Sequence, residues 1–502
     1  MIGRKSQIEA ISQDLDRNEA QLIAIYGRRR IGKTYLVRKY FNDRFTFRHS
    51  GILGGSMTEQ LSAFRGSLVK CGYDDCPVLE SWQSAFDHLR RFLESGGDVV
   101  GRELGDEALG RGGASAYRED GGGRPRRVVF IDELPWMDTP GSRFVMWLDH
   151  FWNSWASAQD DIALIVCGSA TSWIIDKIVK DRGGLHNRLT DQIRLQPFSL
   201  HDCEEYSNAL GLSMKRMDIA ECYMVFGGVP YYWSLLKRGR SVAQNIDELL
   251  FARTGRLRLE YSQLYSSLFR NSERHIAIVD ALASRQGGMT RKELADAVKT
   301  SLGGNFGAVL EELEQCDFIR SYCEPGRKTR GAIYQLMDNF TLFHRRFMSD
   351  GKRTDPHFWQ NSLNTPAVNT WHGLAFERLC LHHVPQIRKA LGISGVLTNT
   401  YAWRHVADDV HPTGVQIDLL LDRADRLVNV CEMKWAAEPF AITKEYAEKL
   451  RLKAGVYSSV ATKGRKGANI TLVAPFGVAD NMYRFTPQSV VTLDDLFEEV
   501  RQ

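Results

Sequence analysis

Apolar positions along the chain fall into distinct rhythms. From residue 21 to 200, short unbroken apolar runs ("QLIAIYG", "RVVFIDEL", "ALIVCGS") alternate with stretches of helical character. Runs that are apolar at every position suit strands covered on both faces, and their alternation with helices predicts an α/β unit with a parallel sheet. Between Glu94 and Arg127 the rhythm lapses into a stretch rich in glycine and charge and poor in aromatics, which reads as a disordered surface loop. Residues 201–270 read as a helical lid. Over 271–347 the pattern predicts helices near 273–285, 290–299 and 304–316, then two short strands around "EPGRKTR". That is the order of a winged helix. A polar stretch with aromatics, 348–370, reads as a linker. The last domain, 371–502, opens on a helix at "NTWHGLAFERLCLHHV". It also holds a hairpin, in which the apolar runs Ile417–Leu421 and Leu427–Cys431 flank the polar turn Asp422–Arg426.

Composition changes this picture little. A chain of 502 residues has room for roughly three domains. With 43% hydrophobic and 25% charged residues it belongs with globular proteins. A net charge of +4 neither demands nor excludes nucleic acid, so any basic patch is local. The nine cysteines are scattered without a C-x-x-C pair, which suits reduced thiols and gives no zinc signature. The expectation is a soluble, cytoplasmic protein with no membrane partner, because neither a signal peptide nor a membrane-spanning apolar run is seen.

The first candidate chemistry is "GRRRIGKT", which fits G-x-x-x-x-G-K-[ST] between a predicted strand and a predicted helix. Backbone N–H groups of such a loop and of the helix N-terminus bind phosphate oxygens. The candidate ATP-binding residues are therefore Gly27, Arg28, Arg29, Arg30, Ile31, Gly32, Lys33, Thr34 and Tyr35. Lys33 would meet the β- and γ-phosphates, and Thr34 would offer its hydroxyl to Mg²⁺. Asp132 closes an apolar strand, where an unpartnered carboxylate is costly, and a Mg²⁺-bound water would account for it. Glu133 follows, placed to polarise the attacking water. Ser169, at the end of "LIVCGS", is suited to sense the γ-phosphate.

These elements, with "IGRKSQIEAI", "GGLHNRL" and "GGVPYYW", resemble the archaeal-type ATPase family of the AAA+ and STAND-like division of P-loop proteins. The resemblance runs over essentially the whole chain, including a winged helix and a C-terminal domain. It implies that Gly3 and Arg4 lie near the adenine and that Pro230 packs near the nucleotide. It also implies that Arg188 reaches a γ-phosphate, either its own or that of a neighbour in a homo-oligomer; a surface salt bridge is the alternative for this arginine. In the winged helix, Glu311, Glu312 and Glu314 make the recognition helix a poor match for phosphate. Arg327, Lys328 and Arg330 make the wing the better candidate for DNA contact.

The hairpin carries a second candidate site. Asp418, Glu432 and Lys434 fit D-(x)n-E-x-K, and strand alternation places Glu432 and Lys434 on one face with Met433 pointing away. Asp418 and Glu432 would hold Mg²⁺ or Mn²⁺, while Lys434 would orient the attacking water and steady the developing phosphorane charge. The segment resembles the PD-(D/E)xK nuclease superfamily, a restriction-endonuclease-like α/β fold. That resemblance adds Glu377 on the preceding helix as a metal ligand. Lys444 and Lys449 are further candidate phosphate contacts. The expected function is an ATPase that couples nucleotide state to DNA binding and metal-dependent cleavage. The rival is a STAND-like regulatory switch whose C-terminal domain only binds DNA or protein.

Overall fold

The computed structural model describes residues 1–96, 126–179, 188–269, 271–285, 287–323, 331–349 and 355–500. The chain forms two compact units, Met1–Gln196 with Ser267–Arg270, and Pro197–Ser266 with Asn271–Gln502.

The first unit is built on five strands: β1 (Gln21–Tyr26), β2 (Phe47–Ser50), β3 (Arg127–Asp132), β4 (Ile162–Gly168) and β5 (Asp191–Arg194). Their order is β2-β3-β4-β1-β5, and every neighbouring pair is parallel. This α/β architecture with a five-stranded parallel sheet fits a P-loop ATPase domain. The three unbroken apolar runs became β1, β3 and β4, the central strands. Along β1, Leu22, Ala24 and Tyr26 join one apolar layer and Ile23 and Ile25 the other. The first layer takes Leu61, Phe64, Trp82, Phe86, Leu148 and Phe151 from three helices, and the second takes Ile11, Leu36 and Val37 from two. Because the strands are parallel, Tyr26, Asp132 and Gly168 end three of them along one edge, where ligands of such sheets sit. Of the glycine-rich stretch 94–127 expected to be a surface loop, Glu94 ends helix Trp82–Glu94 and Arg127 opens β3, while residues 97–125 lie outside the described residues.

The second unit starts with helices, among them Leu200–Leu210, Arg216–Phe226 and Glu260–Ser266. Helix Ser272–Ala283, β6 (Met289–Thr290), helices Arg291–Ala297 and Gly304–Gln315, β7 (Ile319–Tyr322) and β8 (Ile333–Leu336) follow. The three strands make an antiparallel sheet in the order β6-β8-β7. Arg327, Lys328 and Arg330 lie outside the described residues. On helix Gly304–Gln315 the acids are partly drawn inward. Glu312 pairs with His275 at 2.7 Å, and Glu314 accepts the Ser321 hydroxyl at 2.7 Å; Glu311 is exposed.

Helix Pro366–His382 begins inside the stretch expected to be a linker, with proline at a first-turn position where its missing N–H costs nothing. A mixed sheet follows, made of β9 (Thr398–His405), β10 (Val415–Arg423), β11 (Leu427–Met433), β12 (Gly467–Val473) and β13 (Ser489–Val491). β9, β10 and β11 are antiparallel neighbours, while β12 and β13 continue parallel to β11. Helix Lys444–Tyr457 lies between β11 and β12 in sequence, as a parallel crossover requires. The expected hairpin is β10–β11, whose turn closes through Arg426 in the left-handed region (φ 68°).

Candidate functional site

Two clusters of functional side chains form, one in each unit. In the first, β1 runs into a loop whose path only glycine allows at its start. Gly27 has φ +140°, and a Cβ there would stand 2.5 Å from the Leu195 carbonyl oxygen. Gly32, at φ +91°, then turns the chain into helix Lys33–Tyr40. Lys33 is 6% exposed and donates its ammonium to the carbonyls of Gly27 (2.8 Å) and Arg28 (2.9 Å), so its charge sits inside the loop. Arg28 and Ile31 are buried, Arg29 and Arg30 half-buried, and Tyr35 exposed.

Thr34 Oγ1 donates to Asp132 Oδ2 at 2.8 Å. Burial raises the pKa of Asp132, and the Thr34 hydroxyl partly offsets that cost. Glu133 follows in the left-handed region (φ 48°), which turns its carboxylate towards the end of β4. There the Ser169 hydroxyl donates to Glu133 Oε2 at 2.8 Å, with the Ser169 N–H at 3.3 Å from the same oxygen. The turn is tight: a Cβ on Gly168 would lie 2.6 Å from Cδ of Pro135. Arg4, almost fully buried, donates to the Ile31 carbonyl at 2.9 Å and to that of Gly3 at 3.0 Å, which ties the start of the chain to the loop.

Two further residues expected at this site are Arg188 and Pro230. Arg188 is exposed and makes no contact with the loop among the described hydrogen bonds. Pro230 belongs to the second unit, where it opens helix Pro230–Trp233 just after Gly228, whose backbone packs on Phe198. The loop, Lys33, Thr34 and Asp132 suit a nucleotide phosphate with its Mg²⁺: backbone donors, one cation, one hydroxyl and one buried carboxylate on a single edge.

The second cluster lies on the C-terminal sheet. Glu432, 8% exposed at the end of β11, has both carboxylate oxygens engaged. Tyr446 donates to Oε1 at 2.7 Å, Lys453 to Oε2 at 2.6 Å, and Lys434 Nζ lies 3.2 Å from Oε1. Burial opposes the charge, but Lys453 and Lys434 outweigh it and hold Glu432 below the usual carboxylate range. Asp418 accepts from Gln416 at 2.7 Å and falls where the β9–β10 register shifts between Ile417 and Leu420, an irregularity that re-aims side chains. Glu377 is raised to about 7, first by burial and then by the charge of Asp418, with Arg378 and Lys434 opposing. The four expected residues thus share one electrostatic environment.

Glu377, Asp418 and Glu432 are the residues expected to hold a metal ion at this sheet. Among the described residues no three His, Cys, Asp or Glu side chains are arranged to hold a metal ion. The physical reason is on helix Lys444–Tyr457: Tyr446 and Lys453 take the oxygens that a cation would need. Lys444 and Lys449, expected to reach phosphate, are exposed. Tyr446 and Lys453 were not anticipated, although their i, i+7 spacing, with Leu450 between them, was a legible sign of one inward face.

No protein-family model matches the chain. It is 22% identical over 446 residues to a protein of Methanocaldococcus jannaschii bearing the name uncharacterized protein MJECL04, covering 86% of this chain and 87% of that one. A 43-residue stretch is 40% identical to the uncharacterized ATP-binding protein MJ0423 of the same organism, covering 9% of this chain and 73% of the relative. Among solved structures, the Walker-type ATPase of Pyrococcus abyssi matches at TM-score 0.45 and 17% identity, over 69% of this chain and 96% of that one. The ORC2 protein of Aeropyrum pernix matches at TM-score 0.37 and 13% identity, over 69% and 93%. Similarities this distant carry no argument about function; the geometry does. Among the described residues no helix is long and apolar enough to cross a membrane.

Proposed function

We propose that the chain binds and hydrolyses ATP at the first site and couples nucleotide state to contact with DNA. The carrying observation is the Thr34–Asp132 hydrogen bond, which sets a hydroxyl and a buried carboxylate beside a loop built for phosphate. ATP with Mg²⁺ would supply the phosphoanhydride and the cation that neutralises its charge. Lys33, held at the loop carbonyls, would exchange them for phosphate oxygens. Thr34 would turn its hydroxyl to the metal, and Asp132 would orient a metal-bound water. Glu133 would polarise the attacking water, with Ser169 holding the carboxylate in place until a γ-phosphate competes for the hydroxyl. Replacing Lys33 with Ala should abolish ATP binding, and wild-type turnover in Glu133→Gln would move the base elsewhere.

The DNA part rests on reading helix Ser272–Ala283 through β8 as a winged helix, which the element order supports. Three basic residues fall in the stretch between β7 and β8. A second reading, cleavage of that DNA at the C-terminal sheet, is favoured by the shared field of Glu377, Asp418, Glu432 and Lys434. In the arrangement described, no metal-dependent step can be drawn, since Lys453 occupies Glu432. The regulatory alternative, a domain that binds DNA or protein without cutting, needs no rearrangement. A nicking assay with Mn²⁺ and ATP separates the two: cleavage lost in Asp418→Ala supports the nuclease, and intact DNA under all nucleotide states supports the regulator.

A further inference from the structure

In the first unit a further set of polar side chains lies at the opposite end of β1 from the phosphate loop, under the last turn of helix Lys5–Leu15. Ile23 and Ile25 of β1 and Ile193 of β5 share an apolar layer with Ile11 of that helix. Side chains two residues apart on a strand lie on one face, so Gln21 faces the layer of Ile23, and Asp191 the layer of Ile193. β1 and β5 are parallel neighbours with Asp191 opposite Ile23, and Asp14 follows Ile11 at i+3 on the inner face of the helix. Three oxygen-bearing side chains therefore converge.

Two of them are buried with an oxygen left over. Gln21 is 0% exposed; its amide nitrogen donates to the Glu19 carbonyl at 3.2 Å, and its Oε1 has no hydrogen-bond partner. Asp14 is 5% exposed; its Oδ1 lies 3.6 Å from the exposed Arg17 guanidinium, and its Oδ2 has no hydrogen-bond partner. The Asp191 carboxyl stands within hydrogen-bonding reach of Asp14, yet two ionised carboxylates are acceptors only. Asp14 also sits in the last turn of its helix, where the macrodipole disfavours negative charge. Burial and then Asp191 push its pKa up to about 6 against the pull of Arg17, with Glu19 adding to the rise. A carboxylate penalised on each count, beside an orphaned amide oxygen, calls for a positive partner.

We propose that Asp14, Asp191 and Gln21 hold a hard divalent cation, Ca²⁺ or Mg²⁺, through oxygen ligands alone. Carboxylate and amide oxygens are what such ions take, with water in the remaining positions. The ion would cancel the repulsion between the two acids and tie helix Lys5–Leu15 to β5. That helix starts beside Arg4, whose side chain holds the Ile31 carbonyl of the phosphate loop, so the tie would steady the loop from the far end of the helix. The site is separate from the Mg²⁺ that would accompany ATP at Thr34 and Asp132.

The test uses the nucleotide-free full chain at neutral pH, titrated calorimetrically with Ca²⁺ and with Mg²⁺ and melted in EDTA and in each ion. Saturable binding of at least one ion is expected in the wild type. Asp14→Asn and Asp191→Asn should each weaken it by about tenfold or more, because each removes half of the charged ligand set. Thr34 and Asp132 are intact in all these chains, so any ion they take is common to all. Asp16→Asn, exposed at the same helix end, should leave the affinity unchanged. In EDTA, Asp14→Asn should melt no lower than the wild type, since the repulsion is gone, so its loss of binding is not a loss of fold. Equal affinity in the wild type and Asp191→Asn would overturn the proposal, as would an equal loss in Asp16→Asn, which would mean diffuse surface charge. A wild type whose melting responds to pH but to neither ion would also overturn it, the two acids then sharing a proton.

Discussion

Thr34 on the helix after β1 and Asp132 at the end of β3 are hydrogen-bonded at 2.8 Å although β4 lies between their strands. The bond spans the sheet edge, so it links the integrity of the phosphate loop to the strand that carries Asp132. Thr34→Val keeps the shape and removes the donor, leaving a buried carboxylate without it. The expected cost is about 1–2 kcal/mol of stability without nucleotide, together with loss of ATP turnover. Thermal denaturation of the nucleotide-free protein reads the first effect. An unchanged melting temperature would mean that Asp132 finds another donor.

The Ser169–Glu133 pair makes a different kind of prediction, because it concerns orientation rather than stability. Ser169→Ala should bind ATP with near wild-type affinity but hydrolyse it about tenfold to a hundredfold more slowly, since Glu133 loses its positioning hydroxyl. Equal losses in binding and turnover would assign Ser169 to nucleotide contact instead.

At the C-terminal site Lys453 and a divalent cation compete for one carboxylate. Lys453→Met should destabilise the chain by about 1–3 kcal/mol, less than a fully orphaned buried charge, because Lys434 and Tyr446 remain on Glu432. In a Lys33→Ala background the same substitution should strengthen Mn²⁺ binding at the C-terminal site, measured by spin resonance of free Mn²⁺. Unchanged or weaker Mn²⁺ binding would end the metal reading for Glu432.

Glu377 sets a pH dependence whose sign can be worked out. Its pKa rises from an ordinary 4.5 to about 7 in the folded chain, so between these values the folded state binds more protons than the unfolded one. Stability from this residue therefore falls as pH rises from about 4.5 to 7, and the full penalty persists above 7. Glu377→Gln should be close to neutral near pH 4.5 and stabilising, on the order of 3 kcal/mol, at pH 8. Urea midpoints at the two pH values test it, and an equal effect at both would show that the carboxyl is not shifted.

How much of this was legible in the sequence depends on where each element sits. β1, β3 and β4 stood out because central parallel strands are buried on both faces and read as unbroken apolar runs. β2 ("FRHS") and β5 ("DQIR") did not stand out, since edge strands of four residues carry polar side chains on their open side. The phosphate loop, Asp132 and Glu133 were legible because spacing alone places them on one edge of a parallel sheet. Ser169 was found as a strand end, but its bond to Glu133 depends on the left-handed turn at Glu133, which no pattern announces. In the last domain the hairpin and its acids were legible, while β9, β12 and β13 were not. The state of Glu432 was hidden as well, because Lys453 lies 21 residues away and reaches it only through the packing of a helix.

The central claim is that the loop is a working ATP site, and equilibrium titration with Mg·ATP of the wild-type chain, Lys33→Ala and Glu133→Gln tests it most directly. The account predicts saturable binding in the wild type, its loss in Lys33→Ala, and tight binding with little ADP formed in Glu133→Gln. Equal Mg·ATP affinity in wild type and Lys33→Ala would contradict it.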